Sequence, residues 1–401
     1  MEHETIHYLE RLIRKDFRLN LEAMREACLL FNNPQETYAS VHIAGTNGKG
    51  STAAFLSSIL QAAGYKTGLI TSPHLVDVRE RIQINRENIS WEALTELIKN
   101  IRALLPEEEY LSYFEMTTLV GFEYFSKMGI DIAIVETGLG GRLDATNILK
   151  PQVAILTPIT LDHQIYLGDS VTKIALEKCG IVKPEMTVVS APQVEEAALV
   201  IEESCQKLGV ELKWADPETI DFPLNLKGEY QKTNAACALE AAKVLLIEDL
   251  VESIAPNALA KTEWEGRLQT ICEKPTILLD GAHNIAALES LAQYLVATYP
   301  ERKINFLVGA LKDKNWVEMF APLAPVAKRF VCVTPPSERG LPAQELANHL
   351  KEFGKPVEVF EESPAKALKT LVSQMTPSDL AVATGSLYVV GDILKCFPKP
   401  V

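Results

Sequence analysis

The sequence contains no apolar run approaching the roughly 20 residues that a membrane-spanning helix needs, which excludes an integral helical membrane protein. It is short of basic residues, with 39 Lys and Arg against 53 Asp and Glu and a formal charge of −14. Nucleic acid is therefore not an expected partner, because its phosphate backbone demands a basic face. A small anionic ligand is still allowed, since a local loop can override net charge. Seven cysteines, Cys28, Cys179, Cys205, Cys237, Cys272, Cys332 and Cys396, are scattered without C-x-x-C spacing. They read as small buried hydrophobes in a reducing compartment, and neither a disulfide framework nor a zinc site is expected. The opening residues, Met1-Glu2-His3-Glu4-Thr5, lack the apolar core of a signal peptide, so the expected location is cytoplasmic. Internal repeats and low-complexity stretches are also missing.

At 401 residues the chain exceeds one ordinary core, and two domains are expected. Residues 2–31 carry two amphipathic helical patterns, through Tyr8-Leu9-Leu12-Ile13 and Leu21-Met24-Ala27-Cys28. Strand patterns follow at 41–44, 66–70, 81–85, 131–135, 152–156 and 187–189. The continuous apolar run Ile132–Val135 marks a strand buried on both faces. Helical patterns lie between them, one capped by Ser90, one over 114–127 and one over 171–179, and a long helix over 234–246 closes the series. From Pro275 a second series begins, with strands at 276–279, 304–308, 330–333, 357–360 and 380–383, each followed by a helical pattern. The fold class is α/β: two doubly wound domains, the second smaller, with a boundary between Arg267 and Pro275.

Residues 41–52, VHIAGTNGKGST, form the stretch around which the rest is organised. A β-branched run enters a loop with three glycines and a lysine, and the hydroxyls Ser51 and Thr52 open an apolar helical segment. Glycines let backbone N–H groups turn toward phosphate oxygens, the helix dipole adds partial positive charge, and Lys49 adds a full one. The spacing departs from the usual G-x-x-x-x-G-K-[ST] loop, because only Thr46 and Asn47 separate Gly45 from Gly48, and Gly50 intervenes before Ser51.

In open α/β sheets, ligands gather beyond the carboxyl ends of strands. The strand patterns here end in the phosphate loop, Ser72, Glu136 and Asp162-His163. Magnesium on ATP takes one or two protein carboxylates, which makes Glu136 the choice on chemistry alone. His163 is the weaker candidate, and the residues by themselves leave it a structural group. The glycines of ETGLGGRLDATN at 136–147 do not form a dinucleotide fingerprint, because a polar loop and not an apolar helix follows them.

Taken together, HIAGTNGKGST at 42–52, TSPHL at 71–75, SYFEMTTL at 112–119, ETGLGGRLDATN at 136–147, LDH at 161–163 and LEKCGI at 176–181 resemble the dihydrofolate synthase/folylpolyglutamate synthase family of ADP-forming ligases, relatives of the Mur ligases. EGRLQ at 265–269, LDGAHN at 279–284 and ATGSLYVVGD at 383–392 extend the likeness over nearly the whole chain. The resemblance implies a P-loop ATPase-like domain over 1–268 that binds ATP and pteroate, and a Rossmann-like ligase domain over 275–401 that closes on ATP and glutamate. It implies that Thr46, Asn47, Gly48, Lys49, Gly50 and Ser51 hold ATP phosphates, and that Asn234, Arg267, Asp280, His283 and Asn284 also contact the nucleotide. It assigns one Mg2+ to Ser72 and Glu136 and a second to Glu136 and His163, so His163 becomes a ligand. Lys178 resembles the family lysine that is carbamylated into an anionic ligand, a reaction that needs a neutral amine such as burial favours. Lys49, Glu136, His163 and Lys178 would be the catalytic set.

Ser112-Tyr113-Phe114-Glu115 and Arg142-Leu143-Asp144-Ala145 resemble the pteroate-binding segments of enzymes that make dihydrofolate. Tyr113 and Phe114 offer faces for stacking a ring, with core packing as the alternative. Ile285 and Cys179 depart from the family pattern, at positions that touch no proposed ligand. The implied reaction joins L-glutamate to the carboxylate of 7,8-dihydropteroate, with further glutamates added to folates, in a cytoplasmic monomer. A purely polyglutamylating enzyme, a cell-wall ligase and a nucleotide-binding regulatory protein are the competing readings.

Overall fold

The computed structural model describes residues 2–13, 20–107 and 109–397. The chain divides into two compact units, residues 1–225 with 231–262, and residues 226–230 with 263–401. The second unit thus begins ahead of the boundary read from the sequence and includes Arg267.

The first unit is built on eight strands: β1 (Ala39–Ala44), β2 (Thr67–Ile70), β3 (Ile82–Ile84), β4 (Glu87–Asn88), β5 (Ile132–Glu136), β6 (Val153–Leu156), β7 (Thr187–Ser190) and β8 (Glu211–Trp214). Their order is β4-β3-β2-β5-β1-β6-β7-β8, parallel from β2 to β8 and antiparallel at β3 and β4. β1 lies between β5 and β6, and every residue of β5 is buried, as its unbroken apolar run requires. From β1 the chain crosses over β5 to reach β2, whereas from β5 it crosses over β1 to reach β6. These opposite departures open a crevice at the carboxyl ends of β1 and β5, the place where such sheets hold ligands.

The helices Glu2–Ile13 and Glu22–Leu30 occupy the two N-terminal patterns, and the stretch 14–19 between them lies outside the described residues. Ser90 caps Trp91–Leu104 through Ala93 N–H, as expected, and the helices Tyr113–Met128 and Val171–Cys179 lie where the periodicity puts them. Elements that had not been expected include the helices Gln164–Leu167, Glu195–Leu208 and Glu248–Leu259, the strand β4, which falls where a turn was read, β8, and β9 (Gln269–Glu273) of the second unit. The helix Tyr230–Leu245 therefore does not close the series; Glu248–Leu259 follows it and packs on the helix Lys49–Ala62. β8 and β9 are edge strands with no buried position.

In the second unit β9, β10 (Thr276–Leu279), β11 (Ile304–Val308), β12 (Ala327–Val333), β13 (Val357–Phe360) and β14 (Leu380–Thr384) form a sheet of order β13-β12-β11-β14-β10-β9. All pairs are parallel except β9 with β10. Its core is led by Phe306, Phe320 and Phe330, with Phe306 stacked on Phe330 at 5.7 Å between centroids. Among the described residues no helix is long and apolar enough to cross a membrane. Phe306→Ala is expected to cost about 3–5 kcal/mol, read as a lower urea midpoint.

Candidate active site

The phosphate loop leaves β1 at Gly45, where an added Cβ would stand 1.8 Å from Thr157 Oγ1. The next turn, at Gly48, has φ +89°, and a Cβ there would lie 2.1 Å from Asn234 Oδ1. Glycine is thus required at Gly48 both by backbone conformation and by the buried amide opposite it. Asn234 donates to Gln231 Oε1 at 2.9 Å, and Gln231 in turn donates to Ser51 Oγ at 3.5 Å. The helix Lys49–Ala62 therefore starts against a buried amide pair, and no side chain caps its first N–H groups. Such an N-terminus suits an anion. The N–H groups of Thr46 and Asn47 donate to Pro158 O at 2.9 and 3.3 Å. Thr46 Oγ1 also bonds with the backbone of Thr160, so this half of the loop is locked to the segment after β6.

Lys49 Nζ donates to Gly45 O at 3.0 Å and Thr46 O at 3.2 Å, and stands 3.9 Å from Glu136 Oε1. Glu136 Oε2 accepts Ser72 N–H at 3.2 Å. Lys49, Ser72 and Glu136, read from three separate motifs, thus meet at the neighbouring ends of β1, β2 and β5. Lys178 is buried at the end of the helix Val171–Cys179 and donates to Gly45 O at 2.6 Å. His163 sits in the left-handed region at φ 51°, where its N–H donates to Asp162 Oδ1 and its ring stands 4.0 Å from Oδ2. Carboxylate and hydroxyl oxygens suit a hard cation shared with phosphates. Among the described residues no three His, Cys, Asp or Glu side chains gather around a point.

The two segments that resemble pteroate-binding ones also converge. Ser112 and Glu115 form the capping box of the helix Tyr113–Met128 and so set its first turn, which carries Tyr113 and Phe114. The Phe114 ring would lie 2.6 Å from a Cβ at Gly138, so the two segments are in contact and Gly138 leaves room for that ring. Both aromatics are half-buried against the core, between the two alternatives read from the sequence. Asp144 is buried and accepts Leu139 N–H at 2.8 Å and Thr146 N–H at 3.0 Å. Burial pushes its carboxyl above the usual carboxylate value, and these donors oppose that shift. Arg142 pairs with Glu177 at 2.8 Å, Leu143 is half-buried and Ala145 is buried.

On the second unit Asp280 accepts Leu268 N–H and Ala282 N–H, each at 2.9 Å. Burial raises its carboxyl value, and Arg267 pulls in the other direction. Arg267 donates to Gly266 O, His283 Nδ1 lies 2.7 Å from Gly281 O, and Asn284 caps the helix Ile285–Thr298 through Ala287 N–H. These four residues form one group on the turns around the carboxyl end of β10.

Two family models match the chain: the Mur ligase middle domain over residues 43–191, and the Mur ligase glutamate ligase domain over 266–387. A dihydrofolate synthase/folylpolyglutamate synthase of Bacillus subtilis is 32% identical over 94% of each chain. The chain belongs to the dihydrofolate synthase/folylpolyglutamate synthase family. It is an ATP-dependent, ADP-forming acid–amino acid ligase, which sets aside the regulatory-protein reading. Its fold matches the folylpolyglutamate synthase of Mycobacterium tuberculosis complexed with ADP and AMPPCP, at TM-score 0.90 and 30% identity over the whole of both chains. It also matches the bifunctional Yersinia pestis enzyme complexed with AMPPNP and Mn, at TM-score 0.88 and 28% identity, over 98% of this chain and 97% of that one.

Several residues of this ligase were not singled out from the sequence. Arg81 lies over the Tyr113 ring at 5.1 Å and donates to His74 Nδ1 at 2.9 Å, linking the TSPHL loop to the aromatic segment. Only the alternation of β3 pointed to Arg81, and it said nothing of a partner 32 positions away. Gln231 is buried behind Asn234. His42, on β1, is fully buried, and burial followed by the Lys183 charge lowers its ring to about 3.

Gly48→Ala is expected to weaken ATP binding at least tenfold, measured by calorimetric titration, with the far-ultraviolet dichroism unchanged. His42 stays neutral in the folded protein, whereas the unfolded chain takes up a proton below the usual 6.5. Its contribution to stability is therefore complete above that pH and is lost as pH falls toward 3. His42→Gln, which cannot titrate, is expected to move the acid-unfolding midpoint to lower pH, followed by dichroism.

Proposed function

We propose that this ligase joins the amino group of L-glutamate to the carboxylate of 7,8-dihydropteroate through an acyl phosphate, and adds further glutamates to folates. The observation that carries the reading is the meeting of Lys49, Ser72 and Glu136 beside a loop packed against Phe114. A carboxylate is a poor electrophile, so it must first be activated. The pteroate carboxylate oxygen attacks the ATP γ-phosphorus, the bond to the bridging oxygen breaks, and ADP leaves. The glutamate amine then attacks the acyl carbon, loses a proton, and expels inorganic phosphate.

In this reading Thr46–Ser51 and Asn234 hold the triphosphate, and Lys49 swings from its carbonyl partners to neutralise the γ-phosphate. Glu136 with Ser72 would hold one Mg2+, and Glu136 with His163 a second, supplying charge neutralisation at the phosphates. A carbamylated Lys178 would add an anionic ligand near Gly45. Tyr113, Phe114 and the Leu143–Ala145 segment take the pteroate rings, and Ser112 and Glu115 act by fixing the helix start. Arg267, Asp280, His283 and Asn284, on the second unit, are assigned to the nucleotide. The protein is taken to work as a cytoplasmic monomer.

ADP release is expected from dihydropteroate with glutamate and from tetrahydrofolate with glutamate, and from neither acid alone at a comparable rate. Activity confined to tetrahydrofolate would leave a polyglutamylating enzyme only. Carboxylate-18O in the pteroate is expected to appear in phosphate; its absence rules out the acyl phosphate. Glu136→Gln is expected to lower kcat at least a hundredfold, with ADP affinity kept within about threefold.

A further inference from the structure

The loop between β5 and β6 is held from inside the core by a residue that the ligase chemistry does not use. His42 lies on the central strand, in register with Val135 on one side and Ala154 on the other, and is fully buried. Its Nε2 stands 2.7 Å from Thr146 Oγ1, across 104 positions of sequence. Thr146 Oγ1 in turn donates to Asp144 Oδ1. A hydroxyl has a single hydrogen, and this one is committed to the carboxylate. The contact with His42 therefore requires hydrogen on Nε2, so the imidazole is the donor. The other ring nitrogen fits this assignment: Nδ1 is buried without a hydrogen-bond partner, and a lone pair there costs less than a stranded N–H. Donation runs one way, from His42 Nε2–H to the Thr146 hydroxyl and on to the Asp144 carboxylate.

Asp144 is where this line ends and the loop is held. Its two oxygens accept the N–H groups of Leu139 and Thr146, near the two ends of the segment Gly138–Thr146. That segment carries Gly138, against which the Phe114 ring rests, and Arg142, whose N–H donates to Glu177 O at 2.8 Å. We propose that His42 is a positioning residue for the pteroate-binding loop: through Thr146 it holds Asp144 in place as an acceptor, and so sets the shape of 138–146 against Phe114. This rests on the pteroate assignment of that loop. His42 touches no substrate in this account, and neither it nor Thr146 belongs to the proposed phosphate or metal groups.

The test uses His42→Leu, His42→Gln and Thr146→Val in the full chain, with KM for dihydropteroate and for ATP and kcat measured for each. Leucine removes the donor, glutamine can present an N–H near the place of Nε2, and valine replaces the hydroxyl at nearly constant volume. The expected result is a rise of roughly tenfold or more in KM for dihydropteroate in His42→Leu and Thr146→Val. KM for ATP and kcat should stay within about twofold, and His42→Gln should lie near the unaltered enzyme. The double variant His42→Leu/Thr146→Val should be no worse than either single one, because both break the same line. Equal rises in both KM values, unchanged KM values with lowered stability only, or a folded His42→Gln as impaired as His42→Leu would each overturn the proposal. If His42→Leu does not fold, Thr146→Val decides by the same criteria. An independent arm uses 15N-histidine NMR of the unaltered protein, where His42 is expected neutral with the proton on Nε2; a proton on Nδ1 overturns the donation line. Should neither pteroate nor folate support ADP release, the functional reading fails, and the tautomer still decides whether His42 drives this line.

Discussion

Two lysines, 129 positions apart in sequence, place their amines on one backbone carbonyl. Lys49 and Lys178 both donate to Gly45 O, at 3.0 and 2.6 Å, at the point where β1 gives way to the phosphate loop. A carbonyl oxygen has two lone pairs, so it can accept both, and the result is a concentration of donors at the mouth of the β1/β5 crevice. The only carboxylate recorded within salt-bridge distance of Lys49 among the described residues is Glu136, at 3.9 Å. That spacing is too long for a tight ion pair and short enough for each to feel the other's charge. An anion at Lys49 and a cation at the carboxylate would each meet an opposite charge here. On a chain with net charge −14, the attraction must come from such a local group and not from the overall field.

The segment 137–147 packs beside this local group. Glycines at 138 and 141 leave room for Phe114 on one side and for the carbonyls of Glu177 and Lys178 on the other. Asn147 ties the far end to Arg142 O and Gly180 O, at 3.0 and 2.9 Å. The helix end that carries Lys178 is therefore docked against the same loop that faces the aromatic pair. Displacement of this loop would disturb both the turn against Phe114 and the Lys178 amine at Gly45.

What was legible in the sequence was mostly local. The phosphate loop, the Ser90 and Ser112 caps and the buried strands each announce themselves within a dozen residues, through glycine spacing, capping residues or unbroken apolar runs. The helix Glu195–Leu208 had its signal too, since Ala197, Val200, Ile201 and Cys205 recur at helical spacing and are all buried. β8 had one as well, the alternation Val210-Glu211-Leu212-Lys213-Trp214, whereas β9, an edge strand with no buried position, does not alternate apolar with polar. The contacts that finish the site lie beyond any local pattern: His42 with Thr146, Arg81 with Tyr113, Gly48 with Asn234. They depend on which strand lies beside which, and sheet order is decided by crossovers that composition and periodicity do not encode.

Several motif residues also turn out to spend their hydrogen bonds on the backbone. Asp280 holds the N–H groups of Leu268 and Ala282, Asn284 caps its helix, and Ser112 with Glu115 closes a capping box. A polar residue in a recognisable motif is readily taken for a ligand, yet here the same side chains build the turns that present the ligands' neighbours. The two roles differ in what their loss would do. Removing a group that only touches substrate leaves the loop in place, whereas removing Asp280 would strand two backbone donors at once and move Arg267 and His283 with the turn. Loss of activity at such a position therefore does not by itself make it a contact to nucleotide. Lys49 and Glu136 bond to backbone as well, through Gly45 O, Thr46 O and Ser72 N–H, so a backbone contact does not by itself separate the two roles.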